Sequence, residues 1–148
     1  MNEVKQNPQD MNWLNQQWFP WISLAEALCR GFGPPHQPGI YRLRDTWSRD
    51  SLLYIGQGKD IRRRLFQLRN AMIKVSRGGK QGPPHWAGAC ILHKQNQGAK
   101  IEVSWLERAV PDEADRKGLE NDYIADHRRA TSQNPECQFV SMDRRANT

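Results

Sequence analysis

Tyr41, Tyr54, Arg64 and Glu120 are the residues of this chain whose types and positions could handle a phosphate. Each tyrosine sits in a short apolar, β-prone run, and the second run leads into a segment that opens with Arg62, Arg63 and Arg64. In that segment Ile61, Leu65, Leu68 and Met72 recur at helical spacing, which puts Arg63, Gln67, Asn70 and Lys74 on the opposite face. Arg64 is three residues after Ile61 and four before Leu68, at the edge of the apolar stripe. It can lean toward whatever the strands present, whereas Arg63 points to water and Arg62 fits either a solvated face or a contact. Glu120 stands three residues before Tyr123 and four before Ile124, so its carboxylate lies beside apolar side chains and wants a partner. One candidate is Arg116, a turn earlier, in a surface pair worth a few tenths of a kcal/mol. The other is a hard divalent cation, since one carboxylate, water and substrate phosphate oxygens complete an octahedral Mg²⁺ shell. His85 follows a Gly/Pro-rich loop and is read as starting a helix, either exposed or as a cap, or as a further member of the site. His36, His93 and His127 have no metal-ligand spacing.

The elements that must position these groups follow from pattern. Residues 38–44 and 52–56 read as two strands of an antiparallel hairpin, with the polar residues 45–51 as its loop. Gly56-Gln57-Gly58 reads as the strand's end and Asp60 as the N-cap of the arginine-bearing helix. Residues 78–84 read as a basic, flexible loop, and 85–93 as a second helix closed by Asn96-Gln97-Gly98. Ile101, Val103 and Trp105 alternate with polar residues as a third strand. Asp112 then caps a helix over 113–129, acidic at its start and basic at its end, as the helix dipole favours. Trp13, Leu14, Trp18, Trp21, Leu24, Ala25 and Leu28 recur at three- and four-residue steps and read as one or two short helices, the second started by Pro20. Their tryptophans are read as core rather than as a base-stacking surface.

A chain of 148 residues suits one domain with a core of its own. A net charge of +6 favours a polyanionic partner, because clustered Lys and Arg displace condensed counterions from phosphates. Cys29, Cys90 and Cys137 are far apart and form no CxxC pair, which argues against structural zinc. Their odd number argues against a disulfide scaffold, so each is read as a small buried or half-buried residue in a reducing compartment. The apolar runs are too short and too interrupted by charge to span a bilayer. Residues 1–10 lack the basic start and apolar core of a secretory signal, and the cytoplasm is the expected location.

Together these residues resemble the GIY-YIG nuclease domain. Gly39-Ile40-Tyr41 and Tyr54-Ile55-Gly56 are literal copies of the two motifs that name the family, and the segment from Gly58 to Leu65 is similar to the one that follows them. The resemblance runs from Pro38 to about Phe139 and is most specific over residues 39–65. It implies that Arg64, ten residues beyond Tyr54, is the catalytic arginine and that Glu120, in a helix after the third strand, is the metal-binding glutamate. Two positions depart from the family. Leu68 stands where many members have a histidine or tyrosine, which makes His85 the candidate substitute. Many members also have an asparagine just after a proline near the domain's end; here Asn134 precedes Pro135 and Gln138 follows it, and the assignment is open.

The implied fold is α/β, a small, mostly antiparallel three-stranded sheet flanked by helices, with residues 1–37 as a helical extension packed on a domain of residues 38–148. The implied function is metal-dependent endonucleolytic hydrolysis of nucleic-acid phosphodiesters, DNA first among them, with Mg²⁺ or Mn²⁺ held by Glu120. Tyr41 and Tyr54 would orient or deprotonate the attacking water, and Arg64 would offset charge on the phosphoryl oxygens. An unperturbed tyrosine, with a pKa of about 10, needs a nearby cation for such a role, for which Arg64 or Lys59 would serve. Lys59, Arg62, Gly56 and Gln138 are the candidate substrate contacts. The alternatives are a binder of structured or damaged nucleic acid with a decayed site, and a protein-interaction module that uses the tryptophans.

Overall fold

The computed structural model describes residues 6–138; residues 1–5 and 139–148, including the expected end of the domain at Phe139, lie outside the described residues. Four strands form one antiparallel sheet in the order β1 (Ile22–Ser23), β4 (Ile101–Trp105), β2 (Gly39–Asp45), β3 (Tyr54–Gly58). The helices are α1 (Leu24–Ala27), α2 (Ile61–Ser76), α3 (Gly88–Asn96) and α4 (Glu113–Thr131).

The hairpin, the arginine-bearing helix, the last strand and the last helix form where pattern places them. Alternation along β2 sorts the core into two parts. Tyr41 and Leu43 face α2 and α3 and pack with Ile61, Leu65, Leu68, Met72 and Ile91. Ile40 faces the other way, toward Trp13, Trp18, Ile55 and Tyr123 of α4. The Asp60 carboxylate accepts the Arg63 backbone N–H at 3.0 Å, an N-cap worth about 1 kcal/mol, and Asp112 caps α4 in the same way through Asp115. The four stripe residues of α2 are buried, each contributing about 1.5–3 kcal/mol relative to exposure.

The sheet has four strands where three were expected. Residues 18–23 run antiparallel to β4: Trp18 bridges Leu106, the Phe19 N–H donates to the Trp105 carbonyl at 2.7 Å, and Ile22 pairs with Val103. Pro20 therefore lies in extended chain and starts no helix. The helical spacing of the tryptophans has another cause: Trp13 and Trp18 stack on one another over Tyr123, while Phe19 stacks on Trp105 at 4.3 Å on the far side of the sheet. Arg42 fastens this segment to the sheet. Its buried guanidinium lies between Trp18 and Trp21 and donates to the carbonyls of Pro8 and Asp10 and to the Ser104 hydroxyl. Burial, and then the charge of Arg44, lower its pKa to about 9.

Three further expectations are corrected. Gly56-Gln57-Gly58 is part of β3 rather than its end, with Gly56 opposite Tyr41 and Gly58 opposite Gly39. The second helix begins at Gly88, and His85 lies before it, fully buried. Cys90 and Cys137 are joined in a disulfide, leaving Cys29 free and exposed. That bond ties residues 136–138 to α3 while their backbone and side chains pair with the outer edge of β3, where the N–H of Cys137 donates to the Leu53 carbonyl at 2.7 Å. No helix among the described residues is long and apolar enough to cross a membrane.

Candidate active site

The site is built where β2 and β3 pass beneath the first turn of α2. Register sets Tyr41 opposite Gly56 and Tyr54 opposite Leu43, so both rings stand on the α2 face, with centroids 6.0 Å apart. Gly56 is what allows this. A Cβ there would lie 2.4 Å from Tyr41 Cζ and 2.7 Å from Tyr54 Cε1, so the glycine marks a close approach of two rings and not a turn. Two residues on, the Arg64 stem crosses Gly58 at ordinary contact distance, with a Cβ there 3.4 Å from Arg64 Cβ.

His85 closes the group from the loop before α3. Its Nε2 lies 2.8 Å from the Tyr41 hydroxyl, and its ring centroid is 5.3 Å from that of Tyr54. Because the Ala87 backbone N–H donates to Nδ1, the proton of the neutral ring belongs on Nε2, which donates to the Tyr41 oxygen. Burial first, and the charge of Arg64 second, lower the His85 pKa to about 3, so the imidazole is neutral at physiological pH. Arg64 holds the same loop, donating to the Pro84 carbonyl at 2.6 Å and to Gln67 Oε1 at 3.0 Å. Gln67 was assigned to the solvent face; the three-residue step from Arg64 was the signal that it belongs beside the site.

Tyr41 has no exposed surface. Burial, followed by the neighbouring Tyr54, raises its pKa well above the usual value; Arg64 lowers it, and Glu120 and a hydrogen bond with Tyr54 raise it. Tyr41 is therefore a neutral phenol, too enclosed and too weakly acidic to deprotonate water. Tyr54 and His85 meet this hydroxyl directly, and the charges of Arg64 on α2 and Glu120 on α4 act on it.

Glu120 is half-buried on α4. Its alternative partner, Arg116, is itself buried and gives its guanidinium to Gln57 Oε1 at 3.1 Å and to the carbonyls of Val110 and Pro111. The Glu120 carboxylate, whose charge acts on the Tyr41 hydroxyl, is a hard oxygen ligand and fits a divalent cation such as Mg²⁺ or Mn²⁺ held mainly through water and substrate. The cluster of three metal-ligating side chains among the described residues, Cys90, Glu136 and Cys137, lies elsewhere and contains the disulfide.

The expected substrate contacts divide. Lys59 is exposed at the turn between β3 and α2, in position to meet an anion. Arg62 instead donates to the carbonyls of Ala27, Cys29 and Phe32 and holds the connector that leads to β2. Gly56 lies under the two tyrosine rings. The Gln138 amide is engaged at both ends by Ile55, accepting its N–H at 2.8 Å and donating to its carbonyl at 2.9 Å, as a pairing strand would. Gln138 thus caps the open edge of β3 beside the second motif.

No family model and no curated protein matches the sequence. Solved structures do. The chain is similar to the GIY-YIG N-terminal endonuclease domain of UvrC from Thermotoga maritima in its magnesium-bound form, at 18% identity and a TM-score of 0.45, over 78% of this chain and 96% of that one. A point mutant of the same domain bound to its catalytic divalent cation gives 18% identity and a TM-score of 0.45 over 79% and 96% of the two chains. Gly39-Ile40-Tyr41 lies on β2 and Tyr54-Ile55-Gly56 on β3 of this chain.

Proposed function

We propose that this chain is a GIY-YIG-type endonuclease that hydrolyses phosphodiester bonds of nucleic acid, DNA in particular, with Mg²⁺ or Mn²⁺ held by Glu120. The observation that carries the reading is the cluster of Tyr41, Tyr54 and His85 from β2, β3 and the loop before α3, with Arg64 of α2 fastened to that loop and the charges of Arg64 and Glu120 acting on the Tyr41 hydroxyl. Three elements and a loop do not bring two phenols, a guanidinium and a neutral imidazole together for packing alone.

In this reading Tyr54, half-buried where Tyr41 is sealed, is the tyrosine that meets the attacking water. Tyr41 accepts a hydrogen bond from His85 and shares one with Tyr54, so the negative charge of a deprotonated Tyr54, the form able to take a proton from the water, is met by a fixed donor. His85 thus acts as a neutral donor behind Tyr41 rather than as a base. Arg64, anchored by Gln67 and Pro84, offsets charge on the phosphoryl oxygens in the transition state. The divalent ion would supply Lewis-acid stabilisation of the leaving oxygen. Lys59 adds a phosphate contact at the rim, while Gly56 and Gln138 shape and brace the strand that carries Tyr54. Among the described residues, 6–37 serve as an extension that completes the sheet and covers its far face.

Labelled duplex, forked, flapped and single-stranded oligonucleotides incubated with Mg²⁺ or Mn²⁺ test the reading. Metal-dependent products with internal ends are expected. Binding without cleavage of any of them, with either ion, would leave only a nucleic-acid binder.

A further inference from the structure

A cleft of about 150 Å³ opens beside Arg64, between α2 and the loop of residues 80–84. It starts at the site itself, because both groups that anchor the Arg64 guanidinium, Gln67 and the Pro84 carbonyl, belong to residues of its wall. Its inner surface is apolar, formed by Ala71 and the two prolines Pro83 and Pro84. Its polar side chains are those of Gln67, Asn70, Lys74, Lys80 and Gln81. Lys74 and Lys80 bring two cations to its lining, Gln67 has its oxygen taken by Arg64, and Gln81 has its oxygen taken by the Ala89 backbone N–H at 2.7 Å. Each of these amides is left with only its N–H₂ group to offer.

An apolar slot with cations and amide donors in its lining suits a flat, acceptor-bearing ring that carries an anionic group. We infer that this cleft is a subsite for the unpaired nucleotide next to the scissile phosphate. The base lies against the prolines, its carbonyl and ring-nitrogen acceptors meet Gln67 and Gln81, and its phosphate lies near Lys74 and Lys80. The inference rests on the nuclease reading and adds a substrate preference to it. A slot walled on one side by a helix and on the other by a loop admits one base and no base pair, so a frayed, flapped or single-stranded end is favoured over continuous duplex.

The test keeps the two readings apart. Isotope-labelled protein is titrated, in the presence of chelator, with a short single-stranded oligonucleotide and with a closed hairpin duplex, while the side-chain amide resonances of Gln67 and Gln81 are followed. The single strand should shift both; the duplex should shift neither at matched concentration. The Lys74→Ala/Lys80→Ala variant should bind the single strand about tenfold more weakly, with its log-log salt slope reduced by about 1.4, two contacts at about 0.7 each. Gln81→Glu keeps the acceptor for Ala89 but places a negative charge in the cleft, and it should weaken binding without unfolding the loop. Unshifted amides and unchanged affinity in a protein that still cleaves would overturn the subsite and leave the nuclease standing. Shifted amides in a protein that cleaves nothing would support the nucleotide cleft and remove the nuclease reading.

Discussion

Acidification should unfold this protein through His85, and the size of the effect can be worked out in advance. Folding buries the imidazole beside the Arg64 charge and lowers its pKa from 6.5 to about 3. The unfolded chain therefore binds a proton that the folded protein refuses. The stability associated with neutral His85 is fully present above about pH 6.5 and is lost as the pH falls toward about 3. Between about pH 7.5 and about pH 5 the loss comes to about 2 kcal/mol, an approximately thirty-fold shift toward the unfolded state. His127, lowered in the same direction mainly by burial, adds a loss of the same sign. Its neutral form is fixed by the Leu52 N–H donating to Nε2 and by Nδ1–H donating to the Gln133 carbonyl. The variant His85→Gln separates the two, since an amide N–H can still reach the Tyr41 oxygen but cannot be protonated. Urea unfolding of both proteins at the two pH values should show the parent losing about 2 kcal/mol more than the variant on acidification. Equal losses would mean that the imidazole is not held neutral against Tyr41, and the proposed donor role of His85 would fall with it.

The two glycines of β3 should behave differently. Gly56→Ala places a methyl group 2.4 Å from the buried Tyr41 ring and should cost about 1–3 kcal/mol together with most of the activity. Gly58→Ala meets only the flexible Arg64 stem at 3.4 Å and should be nearly neutral in thermal unfolding, so equal melting temperatures for the two variants would contradict the packing described. Replacing Cys90 and Cys137 with serine opens a loop closed across 47 residues and should lower stability by about 4 kcal/mol in denaturant titrations. An unchanged midpoint would show that the bond does not constrain the unfolded chain.

Local signals carried much of the fold. Asp60 and Asp112 cap their helices as their sequence positions imply, and the stripe from Ile61 to Met72 is the buried face of α2. The hairpin was legible because its strands are neighbours in sequence, joined by polar residues. Long-range pairing was not legible in the same way. β1 is two residues long, too short for periodicity, and exists only because β4, some eighty residues later, has an open edge beside it. The tryptophan steps imitated a helix because aromatics serving both sheet faces and stacking on Tyr123 fall at similar intervals. For the candidate site, the hairpin legible in the paired motifs sets both tyrosines on one face of the sheet, and Arg64, at the edge of the α2 stripe, crosses Gly58 beside them. The burial of His85 against Tyr41 depends on a loop conformation that no spacing encodes. Arg62 and Gln138 look like polar contacts in sequence, yet their partners are backbone groups brought near by the fold. The disulfide likewise follows from α3 lying beside the segment that edges β3, and from no cysteine pattern.

The central claim is that Glu120 brings a divalent ion to the phosphate that Arg64 and Tyr54 address. The most direct measurement is cleavage and binding of one labelled oligonucleotide, side by side, by the parent and by Glu120→Gln. The substitution keeps side-chain size and removes the charge. Metal-dependent cleavage should disappear from the variant while affinity in chelator stays equal or tightens slightly, because binding rests on lysines and arginines and Glu120 only repels a metal-free strand. Normal turnover by Glu120→Gln, with at most about 1 kcal/mol of folding stability lost, would make Glu120 an ordinary surface carboxylate and contradict the mechanism.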